Sequence, residues 1–87
     1  MVSERVKLVN KSGFHMRPAN IFITAMCKYS SDIEIIFNTN IINGKSIMNI
    51  MAACIKCGDE IIIECKGDDE REMLSEAVNL IKSGFGE

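Results

Sequence analysis

Two apolar rhythms alternate along this chain, and together they leave few folds open. Ile33, Ile35 and Phe37, and later Ile61, Ile63 and Cys65, fall on every second position, the spacing that lines one face of a strand. Val6 and Leu8 flank Lys7 in the same way within residues 2–8. Residues 41–43 read as a short returning strand after a turn at Asn38-Thr39-Asn40. Between these, Ala19, Phe22, Ile23 and Met26 recur at helical spacing from Pro18 to about Lys28, and Leu74, Ala77, Val78 and Ile81 do so across residues 70–83. A shorter helical stretch, residues 47–53, follows Ser46 in the N-cap position. Gly67-Asp68-Asp69 is expected to cap the last helix, with Glu70 and Glu72 in its first turn, where the helix dipole favours acids. The order strand, helix, strand, strand, helix, strand, helix predicts an α+β two-layer sandwich. Its four strands would keep one face in the core and one in water.

At 87 residues, 47% of them apolar and 25% charged, the chain is expected to form one small globular domain over residues 1–87. A net charge of −2 without a Lys/Arg cluster speaks against a nucleic-acid surface. No apolar run is long enough to span a membrane, and Met1-Val2-Ser3-Glu4-Arg5 lacks the layout of a signal peptide, so a cytoplasmic location is expected. Cys54 and Cys57 form a C-x-x-C pair, while Cys27 and Cys65 stand alone. A structural zinc site usually takes a second pair, and a thioredoxin-like pair follows a strand. The plainer reading is small, partly buried thiols in a reducing compartment, with no metal and no cofactor. A thiol or metal-binding module built on Cys54 and Cys57 is the lesser alternative.

The chemistry gathers at Gly13-Phe14-His15-Met16-Arg17-Pro18-Ala19, which holds the only histidine and the only proline. Neutral imidazole is a nucleophile, and first-turn N–H groups together with a guanidinium receive a dianion. Gly13 allows close backbone approach just before the histidine. His15 with Arg17 therefore reads as a site that accepts a phosphoryl group and hands it on. The chain offers no acid–base partner, metal cluster or Gly-rich nucleotide loop, so a self-sufficient enzyme that takes phosphate from ATP is not expected. Met16, Asn20, Thr24 and Cys27 lie on the face of the first helix opposite its apolar stripe.

Ser46 is first of all a helix cap. The helix behind it is too short to bury Ile47, Met48 and Met51 together, and exposed methionines suit docking to several partners. A phosphate on Ser46 would satisfy the helix N-terminus while setting about two negative charges beside that apolar patch.

Gly13–Ala19, Lys45-Ser46-Ile47-Met48 and Gly58-Asp59-Glu60-Ile61 stand in the order and spacing of one family. Over essentially its whole length the chain resembles HPr, the histidine phosphocarrier of the phosphoenolpyruvate-dependent sugar phosphotransferase system. The resemblance implies an open-faced β-sandwich, a four-stranded antiparallel sheet with three helices on one face. It implies that His15 takes a phosphoryl group from Enzyme I and passes it to IIA domains of sugar permeases, with Arg17 supporting the phosphohistidine. Met16, Asn20, Thr24, Ile47, Met48 and Met51 would form the docking surface of a monomer. Ser46 matches the serine modified by an HPr kinase/phosphorylase, after which the family protein accepts phosphate slowly and acts with a LacI-type regulator. A regulatory-only protein of the Crh type, working through Ser46 alone, is the runner-up; such proteins lack the histidine that stands here at position 15. The family usually carries small residues at Met16 and Asn20 and glycines at Asn49 and Cys54. Asn49 is expected to be tolerated there because asparagine enters the left-handed region readily.

Overall fold

A computed structural model describes residues 1–87. The elements are β1 (Val2–Lys7), α1 (Met16–Met26), β2 (Asp32–Phe37), β3 (Asn40–Asn43), α2 (Ile47–Ala53), β4 (Glu60–Lys66) and α3 (Glu70–Lys82), followed by a 3₁₀ turn at Gly84–Gly86. The strands form one sheet in the order β1-β4-β2-β3, and every neighbouring pair is antiparallel. Ile35 stands opposite Ile63 on one side and Ile42 on the other, so the period-two residues of three strands share one face. That face, with Val6, Ile33, Ile61 and Cys65, is closed by Phe22 and Met26 of α1, Ile50 of α2 and Met73, Ala77 and Ile81 of α3. This is the α+β open-faced sandwich, three helices over one side of a four-stranded antiparallel sheet.

Several local features depart from the sequence expectation. α1 starts at Met16, two residues before Pro18, because the third helical position also lacks an intrahelical acceptor for its N–H and so tolerates proline. α3 ends at Lys82, and its buried stripe is Met73, Ala77, Val78 and Ile81. Met73, one turn before Ala77, is fully buried and extends the stripe toward the start of the helix, whereas Leu74 is only half-buried. Phe37 is also only half-buried, at the end of β2, beside the two-residue turn Asn38-Thr39. Asp69 precedes α3 but does not cap it with its side chain. Its carboxylate instead accepts the N–H groups of Ser30 and Ser31 at 3.0 Å each and the Ser31 hydroxyl, pinning the α1–β2 turn to the start of α3. The N–H of Gly67 goes to Glu70 Oε1 at 3.1 Å.

The two positions where the family usually has glycine behave differently from each other. Asn49 sits inside α2, outside the left-handed region, so conformational tolerance is not what admits it; its N–H donates to the Ser46 cap at 3.3 Å. Cys54 is the left-handed residue, with φ 54° and ψ 47° at the C-terminal cap of α2. A Cβ in that region is strained, and glycine is not. Cys54→Gly is therefore expected to stabilise the fold by about 1 kcal/mol, read as a rise of about 4–8 °C in Tm. A lower Tm would mean that the thiol makes packing contacts worth more than the strain.

Candidate functional site

The turn before α1 is built to hold the backbone of residue 15 at the surface. Asn10, itself buried, donates from Nδ2 to the Gly13 carbonyl at 2.7 Å, while the Gly13 N–H returns to the Asn10 carbonyl at 3.1 Å. Gly13 has φ +64°, and a Cβ there would lie 2.7 Å from both the Ile55 carbonyl oxygen and Lys56 Cα. The Phe14 N–H donates to that same Ile55 carbonyl at 3.0 Å, and the Phe14 ring is buried edge-on to Phe22, 5.3 Å between centroids. Phe14 is thus anchored below, and His15 emerges above it.

His15 is the N-cap of α1, with φ −79° and ψ −179°, and its imidazole makes no capping hydrogen bond. Its carbonyl accepts the N–H of Ala19 at 2.9 Å. Pro18 has no N–H to give, so within the first turn after the His15 cap the N–H groups of Met16 and Arg17 are the unpaired donors. No acidic side chain occupies the first turn. His15, Met16 and Arg17 are all exposed, Met16 to 56%, and Arg17 is in no salt bridge. A surface concavity of about 710 Å³ lies along α3 between Tyr29 and Ser83 and includes none of these residues. An exposed imidazole beside two free N–H donors and a guanidinium can bind a tetrahedral dianion while leaving it open to another protein.

Ser46 caps α2, accepting the Asn49 N–H on Oγ and the Ile50 N–H on its carbonyl at 3.1 Å. α1 and α2 pack side by side, so both caps belong to one helical layer. Asn20 and Thr24 are exposed on α1, and Met48 is 79% exposed on α2. Ile47 and Met51 are instead half-buried and packed against the core, leaving Met48 as the large apolar side chain of α2 that stands clear of it.

Cys54 and Cys57 are exposed on either side of buried Ile55, whose carbonyl holds Phe14. No group of three His, Cys, Asp or Glu side chains is placed to hold a metal ion. Cys27 is exposed, and Cys65 is buried in the core, which pushes its thiol up to about 11.

The sequence reading did not anticipate two contributors. Glu87 reaches back to Ser12, accepting from Oγ at 2.6 Å and from the N–H at 3.4 Å. The Ser12 hydrogen bond holds its carboxyl below the usual range, and the Arg17 charge acts in the same direction. Phe85, in the left-handed region at φ 55°, packs on Phe14 with centroids 5.3 Å apart. Both contacts join the end of the chain to the turn before His15, and no local pattern announces a pairing over that separation. No helix is long and apolar enough to cross a membrane.

The family model "PTS HPr component phosphorylation site" matches residues 2–83. The chain is similar to phosphocarrier protein HPr of Treponema pallidum, 36% identical over 87 residues, covering 100% of this chain and 99% of the relative. It also resembles the HPr-like protein Crh of Bacillus subtilis, 32% identical over 74 residues, covering 85% and 87% of the two chains. Its fold superimposes on a crystal structure of HPr from Thermoanaerobacter tengcongensis with a TM-score of 0.97 at 38% identity, covering 100% and 98% of the chains; a dimeric structure of that protein gives 0.80.

Proposed function

Since the chain belongs to the HPr family of phosphotransferase-system phosphocarriers, we propose that His15 is its relay point between Enzyme I and the IIA domains of sugar permeases. The observation that carries this reading is the exposed His15 cap, beside the unpaired Met16 and Arg17 N–H groups and the free Arg17 guanidinium. In the first transfer a ring nitrogen of His15 attacks the phosphorus held on Enzyme I. A P–N bond forms, the donor's bond to phosphorus breaks, and the donor leaves with its electron pair. The dianion on His15 is then stabilised by the positive end of α1 and by Arg17. In the second transfer the His15 P–N bond breaks toward a nucleophile of the IIA domain. Nothing at the site distinguishes donor from acceptor, so direction follows from the phosphoryl potential of the partners. A carrier needs this openness, and a closed pocket would defeat it.

Docking falls to the exposed side of α1 and to Met48, with Met16 and Asn20 beside the reacting ring. Cytoplasmic location and a chain that works as a single domain and a monomer complete the proposal. Incubation with phosphoenolpyruvate and Enzyme I should add one phosphoryl group that brief acid treatment removes, because histidine phosphoramidates are acid-labile and phosphoserine is not. Absence of the group, or its survival in acid, would overturn the reading. A regulatory-only role of the Crh type leaves the exposed His15–Arg17 pair without a use.

Ser46 is proposed as a control point for an HPr kinase/phosphorylase, with the modified form recognised by a LacI-type regulator. Its hydroxyl already faces the α2 N-terminus, so an added anion suits the helix end while charging the surface next to Met48. Ser46→Asp is expected to melt with the wild type but to accept phosphate from Enzyme I about tenfold more slowly, the effect of one like charge at a docking surface. An unchanged rate at low ionic strength would rule out charge repulsion as the means of control.

A further inference from the structure

The side of the sheet turned away from the helices carries a row of apolar side chains that the core does not use. Arg5, Ile62, Ile36 and Ile41 stand opposite one another across β1, β4, β2 and β3. Ile41 is 66% exposed, and Ile36 and Ile62 are half-buried. The next row on the same face sets Glu64 directly opposite Glu34. Like charges so placed cost stability, and neither carboxylate has a salt-bridge partner. The other acids of this face are matched, Asp32 standing opposite Lys66 and Glu60 opposite Lys7.

We propose that this face docks an amphipathic helix of another protein, one that presents three aliphatic side chains with an arginine on their flank. The dimensions agree. With strands about 4.8 Å apart, the three isoleucines span about 10 Å. Positions i, i+4 and i+7 of a helix span about 10.5 Å. The glutamate pair lies two residues along the strands, about 7 Å to one side of the row. That is within reach of an arginine on the helix flank, whose planar fork can serve both carboxylates. A second copy of this chain is a poor occupant. Stacking two such faces about a two-fold axis along the strands brings the glutamate pair onto its own equivalent. An axis along the isoleucine row sets Arg5 on Arg5. Both arrangements oppose like charges. The face is separated from the helical layer that carries His15 by the thickness of the sheet, so both can be occupied at once.

The test uses methyl-labelled full-length protein and two synthetic helical peptides of roughly 18 residues. Both carry leucines at i, i+4 and i+7; one has arginines on the flank and the other glutamates. The arginine peptide should shift the methyl resonances of Ile36, Ile41 and Ile62 saturably and leave those of Met16 and Met48 in place. Ile41→Thr, and separately the double substitution Glu34→Gln with Glu64→Gln, should each weaken that binding about tenfold. Three results would each overturn the proposal: no saturable shift below millimolar peptide, shifts centred on Met16 and Met48, or equal binding of the glutamate peptide. Sedimentation showing a dimer whose formation shifts the isoleucine methyls would also overturn it, by making a second copy the occupant.

Discussion

His15→Ala should abolish acid-labile phosphorylation by phosphoenolpyruvate and Enzyme I and leave the melting temperature within a few degrees of the wild type. Both halves follow from one observation. The imidazole is exposed and makes no capping hydrogen bond, so its removal opens no cavity and orphans no buried group. What disappears is the lone pair that forms the P–N bond, and no other histidine exists to replace it. Loss of labelling in a protein that still melts normally assigns the chemistry to the ring. Residual acid-labile label would place the phosphoryl group elsewhere. A drop in Tm of more than about 8 °C, the equivalent of over 1 kcal/mol in a domain this size, would show a structural role for the ring that the exposed geometry does not provide.

β2, β4 and the two long helices were legible because each keeps one period over at least five residues, and burial of the shared face then leaves few ways to assemble them with the two shorter readings. The placement of His15, Arg17 and Ser46 was legible for a related reason: each lies at a helix start, where local sequence decides the geometry. The features hidden from the sequence are mostly non-local. The Asp69 carboxylate turns from its own helix to Ser30 and Ser31, which no spacing within residues 67–72 could show. Phe85 and Glu87 fold back on the turn before His15 through contacts that exist only once the core has formed. Cys54 hides its role because a left-handed cap is normally announced by glycine, and here the backbone adopts that conformation without one. On the open sheet face the sequence showed alternation but not register, and register alone brings Ile62, Ile36 and Ile41 into one row.

Gly13→Ala is the substitution expected to damage the fold most among those near the site. The glycine reads in sequence as a point of close approach, and the structure supplies what approaches: the backbone of Ile55 and Lys56, 2.7 Å from where a Cβ would stand. Those atoms are main chain and are tied down, the Ile55 carbonyl by Phe14 and the Lys56 N–H by Asp59 at 2.8 Å, so a rotamer change cannot relieve the overlap. The left-handed φ of +64° adds roughly 1 kcal/mol for any L-residue, and the overlap adds about 1–3 kcal/mol more, for a loss of about 2–4 kcal/mol in urea unfolding. Gly84→Ala separates the two contributions. Its φ of +70° is nearly the same, but a Cβ there meets nothing closer than Asn10 Cβ at 3.6 Å, an ordinary contact. If the close approach is what matters, Gly84→Ala loses only about 1 kcal/mol and Gly13→Ala several times that. Equal losses would mean that the Ile55–Lys56 segment yields. If it yields, the Phe14 N–H bond to Ile55 cannot be what fixes the imidazole one residue further on, and the phosphorylation rate of Gly13→Ala at a temperature where it stays folded would match the wild type. A slowed rate under those conditions would instead show that the same contact which stabilises the turn also aims His15.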